Sequence, residues 1–485
     1  MTRKTPRTLW ALLASAIPMF MVALDNLVVT SALAKIAGDF GVRQSTLQWV
    51  VNGYVLAFAG LLLAGAALGD RFGRRRVFLL GIALFTVASA ACALSGSVET
   101  LVAARVLQGA GAAMILPVSL TLAVAAVSEK QRNMAVGVWG GVNGLGIALG
   151  PLAGGLVTEY LEWNWIFWIN VPIGFLVLPM VLWAIRESRG DDRSIDIVGG
   201  LLIIGSVVAA VWGIVGAADH GWDSGRAISG IASAAVLFTG FVLYERRVAE
   251  PLVPLRMYRV RAFMLSNAVA LTTHFGVFGS VFFLAQFMQG PMGYTPFEAG
   301  LRTLPWTAVP VVVVPLASLL IERVGGGLLQ AIGSGMQAAA LAWLALAIEP
   351  EMSYGAMIPA FILAGIGMGL VFAANPATVI GSVADAEHNK ASGVNNTVRE
   401  LGGALGIAVL TTLFTHGFTS SQAAGSQATA AESFTVGTQH ALWLGVVVVA
   451  AGVSAALFIR RALDSTVPGA GAARVPRDSL PAAID

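Results

Sequence analysis

The chain has 485 residues, of which 57% are hydrophobic and only 11% charged, and its mean hydropathy is +0.79. A soluble protein carries about 25% charged residues, so this composition excludes a soluble enzyme or binding module and predicts an all-α, polytopic membrane protein. The net charge of +3 and pI near 9.2 point to a nucleic-acid partner only if membrane topology does not already account for the basic residues.

Taken in chain order, "MTRKTPRTLWALLASAIP" has the basic flank and small residues of a signal peptide, but its apolar run continues to about Ala34. It therefore reads as an uncleaved first span. A helix needs about 20 apolar residues to cross. Runs of that kind lie near 9–34, 47–68, 77–96, 100–126, 133–157, 164–185, 196–217, 227–245, 262–288, 297–320, 327–348, 354–382, 392–415 and 439–460, which predicts 14 transmembrane helices. Cys92, the single cysteine, lies inside the third run and cannot form an intramolecular disulfide.

Basic residues orient these spans. With the N-terminus inside, 23 of the 29 Lys and Arg fall on cytoplasmic segments. Only Lys35, Arg43 and Arg226 fall outside, and Arg105, Arg302 and Arg399 fall within spans. The expectation is a multi-pass protein of the plasma (inner) membrane with both termini cytoplasmic, the basic pI reflecting topology and not nucleic acid.

A repeat organises the order of spans. "GDRFGRR" between spans 2 and 3 returns as "IERVGGG" between spans 10 and 11, aligning Asp70 with Glu322, Arg71 with Arg323 and Gly73 with Gly325. "GAGAAMILP" in span 4 matches "GIGMGLVFA" in span 12, pairing Gly109 with Gly365 and Gly111 with Gly367. Gly137, Gly146 and Gly150 of span 5 fall on Gly393, Gly402 and Gly406 of span 13. Two six-helix pseudo-repeats are expected, residues 1–187 and 249–463, with spans 7 and 8 (188–248) as an inserted central pair and 464–485 as a disordered cytoplasmic tail.

Span 5 holds "GVWGGVNGLGIALGPLAGG", eight glycines in nineteen residues without a charge. In lipid, small residues every four positions let backbones approach closely, which alone would make this a static packing helix. The order "GIALGPLAGG" also resembles the antiporter motif of the major facilitator superfamily, matched by Gly146, Gly150, Pro151, Gly154 and Gly155. "LVAARVLQGAGAAMILP" is similar to that superfamily's helix-4 motif, with Arg105, Gln108, Gly109 and Gly111 in place. "GDRFGRRRV" is similar to its loop 2–3 motif, although Ala66 stands where Gly is usual. "LDNLVVTSALAKI" matches the helix-1 motif of the fourteen-span drug:proton antiporters in Asp25, but Thr30 and Ala34 replace the usual Asn and Pro. The resemblance covers nearly the whole chain and implies the major facilitator fold and multidrug or antibiotic export. It further implies that helix 5 slides against the other half and seals against leak.

The same resemblance implies an inner gate in which Asp70 faces the N-terminus of span 13, where a helix dipole favours an anion, with Arg71 and Gly73 in the loop and Arg74 bridging to Glu129. The plainer alternative is that these arginines serve topology alone. Charges inside the bilayer carry a functional expectation, since each costs about 2.5–3.5 kcal/mol or more at its centre. Asp25 and Arg105 fall at similar depth, about 24 Å along span 1 and about 9 Å into span 4, so they can pair. Together with Glu400 they are the candidate proton-coupling residues, a buried structural ion pair being the alternative. Glu400 and Arg399, about 14 Å into span 13, are also placed in the substrate cleft with Trp49, Asn52 and Tyr54 of span 2 and Asn143 of span 5. Trp163, Trp165 and Trp168 read as an interfacial belt, His274 as packing, and Arg302 as a snorkelling border residue.

No His-Glu metal pair, Gly-x-Ser-x-Gly elbow or ATP-binding P-loop occurs in the sequence. The expected function is therefore proton-driven export of a small amphiphilic substrate by a non-enzyme, a monomer in the lipid bilayer that needs no cofactor or metal. A dedicated metabolite exporter, a solute:proton symporter, a membrane sensor and a membrane-embedded enzyme are the alternatives.

Overall fold

The computed structural model describes residues 6–42, 44–128, 132–189, 196–249, 251–384, 387–424 and 429–466. No strand occurs among these residues. The first helices are α1 (Pro6–Phe40), α2 (Gln44–Phe72), α3 (Arg74–Ala93), α4 (Val98–Ala125), α5 (Arg132–Tyr160), α6 (Trp165–Trp168) and α7 (Asn170–Ala184). α8 (Ile197–His220) and α9 (Gly225–Glu245) follow, then a 3-10 turn (Leu255–Arg259). The chain ends with α10 (Arg261–Gln289), α11 (Pro296–Thr307), α12 (Val309–Val324), α13 (Gly326–Ala347), α14 (Tyr354–Ile380), α15 (His388–Ala424) and α16 (Ala430–Thr466). An all-helical answer is what hydrocarbon demands, because each segment must satisfy its own backbone hydrogen bonds.

Each expected apolar run is found as helix. Two runs are divided: the sixth into α6 and α7, the tenth into α11 and α12. Both divisions have a proline just beyond them. Pro172 and Pro310 cannot donate to the carbonyls four residues earlier. Twelve helical stretches among the described residues are long and apolar enough to cross a membrane, α6–α7 and α11–α12 each counting once, and α2 makes thirteen if its bent halves form one span. α16 runs to Thr466, so helix occupies the start of the expected tail, and 467–485 lie outside the described residues.

α1–α7 pack among themselves, chiefly α2 on α4, α1 on α5 and α3 on α4. α10–α16 do the same through α13 on α14, α13 on α16 and α10 on α15 and α16. The two sets meet along α5·α11 and α2·α15, while α8 and α9 pair with each other and α8 lies on α2 and α15. The repeat is visible in matching contacts. Gly73 (φ 113) and Gly325 (φ 88) both begin α3 and α13 in conformations that disfavour any side chain. Gly111 lies on Gly81 and Phe85 of α3, and Gly367 lies on Gly333 of α13. Gly146 and Gly150 face α1, as Gly402 and Gly406 face α10.

Candidate functional site

Asp25 and Arg105 are both fully buried and ion-paired, Arg105 Nη1 donating to Asp25 Oδ2. Two amides hold the other carboxylate oxygen: Gln108 Nε2 and Asn170 Nδ2 each donate to Asp25 Oδ1 at 2.9 Å. Both amides also reach Ser89 Oγ, at 2.7 and 3.1 Å. Gln108 Oε1 in turn accepts from Arg105 Nη1 at 2.7 Å and from the Cys92 thiol at 3.6 Å. Arg105 is braced by Nε on Val50 O at 3.1 Å and by the Tyr54 ring, whose centroid lies 4.1 Å from its guanidinium carbon. Helices α1, α2, α3, α4 and α7 thus converge on one carboxylate. This matching makes burial tolerable, since an unpaired charge there would cost several kcal/mol.

Residues expected in the cleft divide. Tyr54 is fully buried in this network, its hydroxyl donating to Val22 O at 3.4 Å, so it is a partner of Arg105 and does not line an open cleft. Asn52 is fully buried with neither amide atom partnered, as is Gln48 one turn away. Trp49 is half-buried against the α1–α4 core, and Asn143 is half-buried on α5. Arg399 bonds within its own bundle. Its Nε donates to His274 Nε2 at 3.0 Å and its Nη1 to Asn396 Oδ1 at 3.3 Å, with the Phe372 ring 4.9 Å from its guanidinium carbon. His274, stacked between Phe278 and Phe372, is therefore more than packing. Glu400 is half-buried and forms no salt bridge among the described residues.

In the α2–α3 loop Arg74 bonds Asp70, with Nη2–Oδ1 at 2.7 Å and Nε–Oδ1 at 2.8 Å. That i,i+4 link joins the two expected gate residues to each other, while Glu129, the expected partner of Arg74, lies outside the described residues. Arg71 is exposed and its guanidinium carbon sits 5.4 Å from the Phe72 ring centroid. The acid that does grip the loop is Glu187, whose Oε1 accepts from Arg75 N at 2.9 Å.

The glycines of α5 face mostly inward. A Cβ at Gly146 would meet Ala23 Cβ at 2.7 Å, at Gly150 Leu27 Cβ at 2.9 Å, and at Gly154 it would run into Val28 O, all on α1. Gly155 meets the other bundle, against Pro296 and Phe297 of α11, and a Cβ at Gly144 would lie 3.9 Å from Val311 Cγ2 of α12. Helix α11 returns the fit with Gly300 against the Pro151 carbonyl. Thr307 Oγ1 donates to Ala148 O at 3.3 Å, and Phe297 N donates to Glu159 Oε2 at 3.1 Å. The Pro151 carbonyl also accepts from Ser31 Oγ at 2.9 Å. Three of the motif's four glycines thus fasten α5 to its own bundle, and Gly155 lies on the seam with α11. Trp163 likewise differs from an interfacial belt residue: it is buried and donates to Asp39 Oδ2 at 2.7 Å, whereas Trp165 is exposed. Arg302 is held under the Tyr294 ring, 3.8 Å from its centroid.

Asn170, Ser89, Glu187 and Gln48 carried no sequence signal of their own. Gln108 was visible in its motif, but not as a partner of Asp25.

Comparison with known proteins agrees with this architecture. The profile described as Major Facilitator Superfamily matches residues 16–407. The chain is 36% identical over 401 residues to the tetracenomycin C resistance and export protein of Streptomyces glaucescens, covering 82% of this chain and 74% of that protein. It is 35% identical over 404 residues to the multidrug resistance protein Stp of Mycobacterium tuberculosis, covering 83% and 75%. Among solved structures, a bacterial homologue of the human lysosomal transporter Spinster superposes with a TM-score of 0.68 at 16% identity, covering 96% of this chain and 100% of that one. Helix order, the paired bundles and these matches together establish that the chain belongs to the Major Facilitator Superfamily.

Proposed function

We propose that the chain is a proton-coupled efflux transporter exporting amphiphilic drugs or antibiotics by alternating access. The observation that carries this reading is the buried Asp25–Arg105 pair, braced by Tyr54 and held by the amides of Gln108 and Asn170. Intramembrane charges mark ion and substrate paths by default. A buried carboxylate whose cation and amide donors come from other helices changes its partners when those helices move, which is what a gated proton site requires. The names of the two relatives, one for tetracenomycin C and one for multidrug resistance, support an amphiphilic cargo.

In this reading fourteen spans cross the plasma membrane, with halves 1–187 and 249–463, the pair 188–248 inserted between them, and both termini cytoplasmic. The protein works as a monomer, needs no cofactor or metal, and draws on the proton gradient. With that orientation the α5·α11 seam lies toward the outside, so the state described is closed outward. Asp25 carries the proton, and Glu400, without an ion-pair partner among the described residues, admits cationic cargo.

Everted vesicles containing the protein should accumulate ethidium, a lipophilic cation, on an imposed pH gradient and release it when the gradient is dissipated. Uptake that persists on ATP after an uncoupler would remove the proton-coupled reading.

A further inference from the structure

Helix α7 touches the carboxylate network at one end and the α2–α3 loop at the other. Asn170, its first residue, is 1% exposed and bonds Asp25 Oδ1 and Ser89 Oγ. Fifteen residues of helix, about 22 Å, then pack on α1 and α3 and end at Ala184. The segment that follows lies directly on the loop. Ser188 O accepts from Arg74 N at 2.8 Å, Glu187 Oε1 from Arg75 N at 2.9 Å, and Ile185 O from Arg75 Nη1 at 3.3 Å. Gly73, the residue before α3, offers no side-chain cap. The Glu187 carboxylate fills that role, and it can do so because a Cβ at Gly73 would stand 2.8 Å from Glu187 Cδ.

We propose that Asn170 is a positioning residue for the proton site, and that α7 links the ionisation of Asp25 to the hold on the α2–α3 loop. This rests on the proton-coupled reading above. The groups facing Asp25 show why Asn170 is the member that can respond. From α4 comes Arg105, always charged; from α2, Tyr54, pinned on Val22 O; from α3, Cys92, directed at Gln108; from α15, Glu400, on the helix that packs against α2. Gln108 is held at both its nitrogen and its oxygen. Among the described residues Asn170 is held at its nitrogen alone, and like Gln108 it keeps Ser89 Oγ as a second acceptor. When a proton reaches Asp25 Oδ1, a donor there must leave. Asn170 can leave without stranding its N–H, or can turn its carbonyl to accept the new proton. Either change alters the first turn of α7, and the helix carries the shift to Glu187 and the loop.

The test is pH-dependent hydrogen–deuterium exchange of the 69–80 peptide in the purified full chain, corrected for intrinsic exchange rate. In the native protein, protection should fall as pH is lowered, and Asp25→Asn should show low protection at every pH. Asn170→Ala removes one donor from the ionised carboxylate, so protonation becomes easier and the midpoint should rise by about one to two pH units. Asn170→Gln should restore part of that shift, and Glu187→Gln should lower protection without moving the midpoint of gradient-driven ethidium transport. A native chain that transports on a proton gradient while its loop ignores pH overturns the inference and leaves the proton-coupled reading intact. So does an Asn170→Ala midpoint equal to the native one. If Asn170→Ala does not fold, a Glu187→Gln chain with native protection overturns the proposal instead. Absence of gradient-driven transport in the native chain overturns both readings.

Discussion

At Asp25 three side chains from two other helices converge on two carboxylate oxygens, Arg105 and Gln108 from α4 and Asn170 from α7. Each has a separate consequence when altered. Asp25→Asn is neutral in every state. The chain should still bind and exchange substrate but lose net proton-driven export, measured as ethidium counterflow retained while gradient-driven uptake is abolished. Arg105→Leu leaves the carboxylate buried without its cation, a loss of about 3–5 kcal/mol, and should lower the melting temperature well beyond Asp25→Asn; equal melting of the two would show that the pair carries no structural weight. Glu400→Gln should lose a cationic substrate selectively and keep a neutral one, compared in the same vesicles. Equal loss of both, with full proton-driven export in Asp25→Asn, would reverse the two roles. Much of this was legible beforehand, because depth along a helix is a matter of counting at 1.5 Å per residue. Asn170 was not, since it stands 145 positions from Asp25 and reads locally as a residue at a helix start. Glu187 was hidden for a related reason: just past the end of an apolar run an acid looks like ordinary solvated charge.

The helix α5 shows where spacing stops and geometry begins. Glycine every fourth residue predicts a smooth face, but not which neighbour occupies it. The structure gives three glycines to α1 and leaves Gly155 at the seam with α11. Two substitutions on one helix should therefore fail differently. At Gly154 a methyl group would run into the Val28 carbonyl, within a bundle that must stay packed. Gly154→Ala should cost about 1–3 kcal/mol by overpacking, seen as a lower melting temperature. At Gly155 the methyl would stand 2.8 Å from Phe297 Cα, across a seam that alternating access must open. Gly155→Ala should push α5 from α11 with little loss of melting temperature, and should raise labelling of a cysteine at position 297 by an impermeant reagent applied from outside. Matching thermal losses with no change in labelling would show that both glycines serve static packing alone. The breaks at Pro172 and Pro310 belong to the same scale: hydropathy runs straight through them, and only the missing N–H betrays the change.

For the whole molecule, the decisive question is whether α8 and α9 cross the bilayer. Both are apolar enough to do so, and α8 lies on α2 and α15, where the two bundles meet. Their exposed faces are apolar as well: Ile197, Leu201, Trp212, Val236 and Phe238 are all more than a third exposed. A pair left in water would present that surface to solvent, which soluble proteins avoid as a contiguous patch. In the fourteen-span arrangement α8 leaves the cytoplasm, the turn at Gly221–Ser224 is external, and α9 returns. Single cysteines at Arg189 and Arg247 should then resist an impermeant maleimide in sealed cells, whereas one at Asp223 should react. All three positions are exposed. Cys92 is fully buried and can stay in place, which keeps its thiol beside Gln108. If the pair lay on the cytoplasmic surface, the Asp223 position would be protected together with the other two and react only after permeabilisation. Reaction at Arg247 in sealed cells would invert the second half relative to the first, and would contradict the orientation that its basic segments predict. The pattern protected, reactive, protected along positions 189, 223 and 247 is the one that requires two additional spans between two parallel halves.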